Sequence, residues 1–469
     1  MNGIVQAVVG DGTARRRRRS ALACAAVSTL SGLAVILWFR PGILHSDSLN
    51  QLLQGRTGNY NDLHPVLMSW LLGTFDRIVP GPLLALIFQV SLWSAGLGIL
   101  THLGFRRPAA SLLIAAVTFW PPILVHLAVV QKDTQMAAAL LFATATVALS
   151  SRPDASRMPL VAAFLALFYA QGCRHNAFPA VFPLLFLCVN LALGRTRASM
   201  ARAALLTLVV AGLWAGGTAL LTRHLTHGRS LHPTQELFLS DLAAMSVREG
   251  VDLFPAYVQA DRPDVDLDWI RSHYLPDSIN DVIFGRGAIS WDGTRAQRDA
   301  LRSSWWRAVL AHPWIYASVR LSVFGHLLGF WPRLWFPVFP HSDAQAASLH
   351  FDAGDSRYRA FMTWVADRAA NGLWFRNWFY CLGLALGAVP VIIKRDPLGI
   401  CVQLSAWLYL AAYLAVSPGN ADFRYAWWVI VAALVMPALA ARSWTMRHSN
   451  EAITSHHRYR KSHPDPISG

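Results

Sequence analysis

Long apolar runs, several of them near the length that crosses a lipid bilayer, dominate this 469-residue sequence. A transmembrane helix needs about 20 consecutive apolar residues, and its backbone groups must be hydrogen-bonded within the segment. Charged residues make up 14% of the chain, against about 25% in soluble domains. We therefore predict an all-α polytopic membrane protein. The predicted transmembrane spans, about ten in number, are 21–39, 83–103, 109–128, 134–150, 159–171, 177–193, 203–222, 373–393, 398–417 and 424–441.

Basic residues indicate how these spans are oriented. Arg15 to Arg19 precede the first apolar run, which ends at Arg40 with no small-residue cleavage site, so we expect an uncleaved first span. With the N-terminus inside, every short inner loop carries Arg or Lys, as the positive-inside rule requires. The excess of Arg over Lys and the many Ala residues suggest a bacterium. We predict a bacterial plasma (inner) membrane protein with both termini cytoplasmic.

The net charge of +15 could suggest a nucleic-acid partner. However, the basic residues lie in short loops and at the termini, and the chain has no nucleic-acid-binding motif. The lipid bilayer is therefore the predicted partner, and nucleic acid is excluded. The five cysteines are scattered with no CxxC pair, which argues against a disulfide framework or a zinc site.

The predicted organisation contains one large polar insertion between membrane parts. The segment 310–330 inside it is apolar but carries Arg320 and His326, and we interpret it as an amphipathic or re-entrant surface helix. Crossings there, or in a pair with 331–350, would raise the total to 11 or 12 spans. The predicted parts are a basic cytoplasmic N-terminus (1–20), a membrane core (21–222) with a first outer loop (40–82), an extracytoplasmic insertion (223–372), C-terminal membrane spans (373–441) and a basic cytoplasmic tail (442–469).

Acidic and basic residues alternate at the outer ends of the predicted spans, where the charge rule expects few cations. Lys132 is one of only three lysines, and the other two are predicted inside. Lysine and arginine on the outer surface could bind a phosphate, and a nearby aspartate could take a proton from a hydroxyl. The residues come from four separate loops: Asp47, Asp62 and His64; Lys132 and Asp133; Arg174 and Asn176; and Asp422, Arg424 and Tyr425.

Each of these residues also has a structural alternative. Asp47 could cap the helix that follows it, and Asp62 could belong to an ordinary turn. Lys132 and Asp133 could form an ion pair at the membrane interface. Arg424 could extend toward lipid headgroups. The agreement of all four loops on one face is the stronger argument for a site.

The string Asp62-Leu63-His64-Pro65 is similar to the Asp-x-His-Pro-Pro of protein O-mannosyltransferases, although Val66 stands at the second proline. The layout resembles the C-type superfamily of polytopic membrane glycosyltransferases, which carry an acid in the first outer loop followed by membrane-surface helices. The resemblance covers residues 1–200 by motif and the rest by layout. The family's first acid is often one of an adjacent pair, whereas serines flank Asp47, so neither a metal nor another cofactor is predicted.

The resemblance implies that a sugar linked to polyprenyl phosphate is transferred to an acceptor hydroxyl at the extracytoplasmic face. It implies Asp47 as the general base and Asp62 as a secondary acid. Arg424, Lys132 and Arg174 would bind the lipid phosphate, and apolar walls would hold the isoprenoid tail. Aromatic residues at 305–336 and 358–380 could form a sugar platform. The remaining predicted substrate-binding residues are His64, Asp133, Asn176, Asp422 and Tyr425.

Two other classes of function remain open. A transporter or flippase for a lipid-linked or anionic solute would also use charges within a membrane. Transporters commonly contain internal repeats with sites near the midplane, whereas this chain shows no repeat and its polar residues gather at one face. A structural membrane protein would need no ordered cluster of acids and bases.

Overall fold

The computed structural model describes residues 2–152, 156–194, 196–284, 289, 293–332, 342–352, 354, 360–361, 364–365, 372–417 and 419–462, with backbone alone at 2–11, 13, 197–198 and 445–462. The chain is 78% helical, which confirms the predicted all-α class. The helices of the described residues, labelled α1 to α20 in chain order, are Asn2–Phe39, Ser46–Thr57, Val66–Ile78, Leu83–Phe105, Leu112–Thr118, Pro121–Leu127, Lys132–Ser150, Met158–Cys173, Phe178–Ala192, Arg197–Leu225, Thr234–Glu249, Ala256–Asp261, Leu267–His273, Asn280–Ile283, Arg295–Ala311, Pro313–Leu328, Asp343–Ser348, Asn377–Ile393, Pro397–Val416 and Trp427–Ser462. Short 3-10 helices add Pro108–Ser111, Leu373–Phe375 and Phe423–Ala426, and two strands, β1 and β2, are Ile43–Leu44 and Val129–Val130.

Five helical segments are long and apolar enough to cross a membrane, which supports a multi-pass membrane protein. A sixth candidate is a pair of helical segments bent by 68°, where the sequence predicted a span at 109–128. The bend falls just before Pro121 and Pro122, which lack the amide hydrogen that a continuous helix needs. The five segments are Ala14–Phe39, Leu83–Phe105, Ser199–Leu225, Pro397–Val416 and Phe423–Trp444.

The other predicted spans are helices of a different kind. The apolar helices α8, α9 and α18 have 16, 15 and 17 residues, which gives lengths of about 22 to 26 Å, below the roughly 30 Å of a bilayer core. Helix α7 coincides with the predicted span 134–150, but nearly all of its residues are buried inside the protein. The total of ten spans therefore stays a prediction.

The core forms where α7 packs between α4 and α8, while α4 also contacts α1 and α20. Small residues allow this close packing, as is usual between membrane helices. A Cβ added to Gly96 would lie 3.0 Å from the backbone nitrogen of Phe142, and one added to Gly104 would lie 2.4 Å from the carbonyl oxygen of Ala438. These two glycines set the distances from α4 to α7 and from α4 to α20.

The first outer loop contains two helices that pack backbone to backbone. A Cβ on Gly73 of α3 would lie 2.3 Å from the carbonyl oxygen of Gly55 in α2, so both positions require glycine. Arg56 Nε also donates to Asp76 Oδ2 at 2.8 Å. This hairpin therefore fixes the end of α2, the helix whose first turn carries Asp47.

The two strands join that loop to the segment before α7. Ile43 and Leu44 pair in parallel with Val129 and Val130. Because the strands run in the same direction, the residues that follow them emerge at the same end. Helices α2 and α7 therefore begin side by side.

The insertion has its own apolar core beneath a buried ion pair. Arg320 of α16 contacts Asp241 of α11 at 2.5 Å, and Trp305 donates to the same carboxylate at 2.8 Å. The ion pair with Asp241 accounts for the presence of Arg320 within the apolar segment 310–330. In the structure this segment is divided at His312, with the last residues of α15 before it and α16 after it. Residues 333–341 of the alternative crossing at 331–350 lie outside the described residues. The core contains Leu239, Leu242, Met245, Val282, Leu301 and Val319.

Candidate functional site

Asp47 lies at the centre of an ion-pair network built from separate parts of the chain. Its Oδ2 atom is 3.1 Å from Lys132 Nζ and 3.0 Å from Arg424 Nη1. Asp47 belongs to the first turn of α2, Lys132 is the first residue of α7, and Arg424 lies in the 3-10 turn before α20. One carboxylate oxygen thus connects three segments that are far apart in sequence.

Two histidines surround the other oxygen of this carboxylate. His45 Nδ1 and His64 Nε2 each lie 3.8 Å from Asp47 Oδ1. His45 is the N-cap of α2, and its ring accepts the backbone N–H of Asp47 at 3.3 Å. Capping of this helix therefore falls to His45, and the Asp47 side chain is directed to the network. His64 also lies 2.9 Å from Lys132 Nζ through its Nδ1 atom.

A second acid lies behind Arg424 and connects it to the fourth segment. Asp133 is fully buried, forms an ion pair with Arg174 at the end of α8, and lies 3.8 Å from Arg424 Nη1. Arg424 Nε donates to Asp422 at 3.0 Å. The described network thus alternates three cations with three carboxylates. Lys132 and Asp133 each form an ion pair with a residue of another segment. The alternative considered from the sequence was an ion pair between these two residues at the membrane interface.

Aromatic rings support the two guanidinium groups. Tyr425 lies 4.8 Å from Arg174 and 5.2 Å from Arg424, measured to the ring centroid. Arg174 also donates to the Tyr409 hydroxyl at 3.3 Å. Arg424 is only 3% exposed, so it is held inside the protein and does not extend toward headgroups.

Asp62 has a different setting from Asp47. Its carboxylate accepts the backbone N–H of Leu231 at 2.6 Å and the hydroxyl of Ser230, and its carbonyl oxygen is 3.2 Å from His175 Nε2. These contacts attach the beginning of the insertion to the first outer loop. Asn176 follows in the same turn as His175, half-buried.

The charges of the network shift the pKa values of its members. Burial disfavours ionisation of Asp47, but Lys132 and Arg424 outweigh that effect and hold its pKa well below the ordinary value. Burial lowers the pKa of Lys132 to about 8, although Asp47 opposes the shift. Asp47 is therefore ionised at neutral pH, and it is a weak base while both cations contact it.

The two histidines are neutral at physiological pH. Burial, followed by the charge of Arg424, lowers the pKa of His45 to about 4. Burial and Lys132 lower the pKa of His64 to about 3. Both rings can therefore act as neutral hydrogen-bonding groups beside Asp47, without adding positive charge to the network.

Glu236, in the first turn of α11, is not among the residues predicted from the sequence. It lies close enough to Lys132 and Asp47 for both charges to act on its carboxyl group. Glu236 lies in a polar helix of the insertion, and the sequence around it does not indicate a site residue. The nearby contacts of Asp62 with Ser230 and Leu231 bring this helix start to the network.

Two further features bear on ligands. Among the described residues, no group of three or more His, Cys, Asp or Glu side chains is arranged to hold a metal ion. A cavity of about 510 Å³ lies between α1 and α4, and none of the ion-pair residues lines it. The network itself, and not this cavity, is therefore the candidate site.

Three of the aromatic residues considered for a sugar platform, Trp305, Trp374 and Tyr380, have structural partners. Trp305 binds Asp241 in the insertion. The ring of Trp374 packs 4.8 Å from that of Trp120, which donates to the Tyr380 hydroxyl at 2.8 Å. Most of the stretch 358–371 lies outside the described residues.

The site places cations that can bind an anion next to a carboxylate that can take part in proton transfer. Buried charges are expensive unless they are paired, and networks with strongly shifted pKa values are concentrated at functional sites. The site is therefore suited to a reaction in which an anionic group and a proton are handled together. Comparison of the chain with family models, curated proteins and solved structures found no match.

Proposed function

We propose that this protein is a membrane glycosyltransferase of the C-type superfamily. It would transfer a sugar from a polyprenyl-phosphate donor to an acceptor hydroxyl at the extracytoplasmic face. The observation that carries the proposal is the contact of one carboxylate oxygen of Asp47 with both Lys132 and Arg424. Pairs of cations bind phosphate, and an adjacent carboxylate can receive a hydroxyl proton.

Phosphate binding would use the cations that now contact aspartates. Lys132 and Arg424 both lie against Asp47 Oδ2, and Arg174 is directly behind them on Asp133. A phosphodiester that entered this space would compete with Asp47 for the first two cations. The Arg guanidinium provides a planar, two-pronged donor for phosphate oxygens, and Lys a compact charge.

The same competition would activate Asp47. Once phosphate takes Lys132 and Arg424, the charges that depress the pKa of Asp47 are withdrawn, and burial then raises its proton affinity. The acceptor oxygen attacks the anomeric carbon and its proton passes to Asp47. The bond between that carbon and the phosphate oxygen breaks, and its electron pair leaves with the polyprenyl phosphate.

The proposal includes the finer topology inferred from the sequence. It has about ten spans, both termini in the cytoplasm and a bacterial plasma membrane as the location. Asp47, Lys132, Arg174 and Arg424 then share the outer side. In support, each of the four lies at an end of a helix or in the turn before one, as expected of a site at a membrane surface and not at its midplane.

The test is sugar transfer by the purified protein in lipid vesicles. The donor is a polyprenyl phosphate that carries a radiolabelled hexose, and the acceptors are glycans and peptides of a bacterial envelope. We expect covalent transfer by the wild type and a loss of about 10²- to 10⁴-fold in Asp47→Asn, which keeps the side-chain shape but cannot take the proton.

Asp264→Asn is the matched control, because Asp264 is an exposed acid that pairs with its neighbour Arg262. It should transfer sugar at the wild-type rate. Full activity of Asp47→Asn would contradict the assigned role. Label that enters the vesicles without becoming covalently attached would favour a transporter over a transferase.

A further inference from the structure

The cavity between α1 and α4 is open to the surface of the helix bundle. Its volume is about 510 Å³, within the range of roughly 300–1,000 Å³ that ligand pockets occupy. The walls are mainly apolar, and two of the lining residues, Leu33 and Ser91, are exposed. Both helices contain candidate membrane spans. In a bilayer this cavity therefore faces the lipid.

Two glycines fix the approach of these helices beside the cavity. A Cβ on Gly98 would lie 2.3 Å from Ser28 Oγ, and one on Gly32 would lie 2.6 Å from Ser94 Oγ. Residue numbers thus rise along α1 where they fall along α4, so the two helices are antiparallel. The Ser28 side chain is buried, lines the cavity and has no hydrogen-bond partner in the described part of the chain.

Arginines lie just beyond one end of the cavity. At that end Ser20 Oγ is 3.1 Å from the Nδ1 atom of His102, which lines the cavity. Arg17 precedes Ser20 by three residues in α1, and Arg106 follows His102 by four residues at the end of α4. Because the helices are antiparallel, both arginines lie about one helical turn past this contact. The charge of Arg17 accordingly acts on Arg106.

The protein supplies no counter-charge to these two arginines. Arg442, at the same end of the bundle, is paired with Asp396. Arg17 is exposed and Arg106 is half-buried, and neither forms an ion pair with an acid of the described chain. Like charges at close range repel, and an anion between them relieves the repulsion.

We infer that the cavity between α1 and α4 binds an anionic phospholipid, with an acyl chain in the cavity and the phosphate between Arg17 and Arg106. Basic pockets between membrane helices bind anionic headgroups, and guanidinium groups match phosphate oxygens with paired donors. The apolar walls match the hydrocarbon chain. None of these residues belongs to the Asp47 network, so the inference is independent of the proposed function.

Charge favours a phospholipid over a second copy of the chain. Small residues on membrane helices also allow helices of two molecules to pair. Two copies with the same orientation in the bilayer would, however, bring two sets of arginines together at one end of such an interface. Those charges would repel one another. A phospholipid brings the opposite charge to the same place.

Lipid binding by the purified full-length protein in detergent tests the inference, with native mass spectrometry and thermal unfolding as readouts. The anionic probe is dioleoylphosphatidylglycerol. Dioleoylphosphatidylcholine has the same chains without net charge, and inorganic phosphate has the charge without a chain. We expect phosphatidylglycerol to remain bound and to raise Tm. Equal effects of phosphatidylcholine or of phosphate alone would overturn the inference.

Ala25→Phe tests the cavity, because Ala25 lines it and is exposed, so that the added ring fills the space without entering the core. Affinity for phosphatidylglycerol should fall about 10-fold or more, since excluding two methylene groups already costs that much. Ala26→Phe is the matched control, because Ala26 is equally exposed and does not line the cavity. It should bind phosphatidylglycerol as the wild type does.

Arg17→Gln and Arg106→Gln test the headgroup contacts. Each should weaken binding of phosphatidylglycerol about 5-fold and reduce its dependence on salt. Arg157→Gln, at an exposed cation that begins α8, should leave binding unchanged.

Unchanged affinity in Ala25→Phe or in the arginine variants would overturn the inference. A wild-type dimer that Ala25→Phe dissociates, with no lipid retained, would assign the cavity to a second copy instead. Tighter binding of polyprenyl phosphate than of phosphatidylglycerol, lost in the same variants, would assign it to the donor. The variants leave the Asp47 network intact, so none of these outcomes bears on sugar transfer.

Discussion

The two ends of the helix bundle use charge in opposite ways. At one end, Asp47 and its neighbours alternate acids and bases from four segments. At the other end arginines approach one another, since Arg106 lies close enough to Arg17, Arg152 and Arg442 for their charges to act on it. The first end neutralises its charges by pairing, whereas the second keeps an excess of cations.

The acid at the cationic end has a structural task. Asp396 caps α19 through the N–H of Leu398, and both of its oxygens lie 3.2 Å from Arg442 Nη1. Ser443 donates to the same carboxylate at 2.8 Å. These contacts join the start of α19 to α20, and every acceptor atom of Asp396 is used by the protein itself.

This difference shows how a structural ion pair can be distinguished from a candidate site. Asp396 pairs with a single base, and hydrogen bonds from the protein satisfy the remaining acceptor positions of its carboxylate. At Asp47 one oxygen receives two cations, and further cations and acids lie behind them. A phosphate could be accommodated at Asp47 by exchange of partners, whereas at Asp396 it would only break the packing.

The largest expected effect comes from comparing the two arginines near either end of the last apolar segment, Phe423–Trp444. Arg424→Gln should reduce sugar transfer per folded molecule about 10- to 150-fold, the effect of losing a hydrogen bond to a charged group. Its affinity for polyprenyl phosphate should fall in parallel. Transfer rates and lipid binding in vesicles, normalised to folded protein, measure both.

Arg442→Gln is the counterpart at the cationic end. It leaves the buried Asp396 without its cation, so we expect stability to fall by about 3–5 kcal/mol while the activity of the folded molecules is unchanged. Thermal unfolding in detergent gives the stability. An equal loss of specific activity in both variants would remove the distinction between the two ends.

A change of pH is expected to have an intermediate effect on stability, because the histidines beside Asp47 titrate and the arginines at the other end of the bundle do not. Burial lowers the pKa of His45 to about 4 and of His64 to about 3, from 6.5. Below pH 6.5 the unfolded chain binds protons that the folded chain does not. Stability is therefore complete above pH 6.5 and declines as the pH falls, by about 2 kcal/mol per histidine at pH 5.

Thermal unfolding of the wild type and of His64→Asn between pH 8 and pH 5 tests this expectation. The variant should lose less stability than the wild type over that interval, because one proton-binding group of the unfolded chain has been removed. Parallel curves for the two proteins would show that the pKa of His64 does not differ between the folded and the unfolded chain.

The smallest effect is expected at the cationic end itself. Arg106→Gln removes one of several like charges and should stabilise the protein by a few tenths of a kcal/mol at low salt, since such interactions at surfaces are weak and screened. The gain should shrink as salt is added. A marked loss of sugar transfer in this variant would contradict the assignment of the site to the opposite end.

The sequence was informative wherever a property depends on composition or on a regular pattern. Apolar runs predicted helices at every proposed span, and the predicted site residues included the three cations and three carboxylates of the Asp47 network, but not His45. It was less informative about lengths and breaks. The bend before Pro121 divides one predicted span, and the burial of α7 follows from packing against α4 and α8, which no local pattern reveals.

The roles of individual acids depended on contacts across the chain. Asp47 and Asp62 look alike in sequence, yet one meets two cations and the other binds the start of the insertion. Glu236 gave no signal because its neighbours in the site are about 100 or more positions away along the chain.

The sequence by itself therefore determined the all-helical, membrane-type architecture and the set of charges available at one end. Only the tertiary structure decided which charges meet, because an ion pair depends on distances of a few ångströms between segments that are remote in sequence. It made Asp47 the centre of the network, used Asp62 to attach the insertion and brought Glu236 to the site.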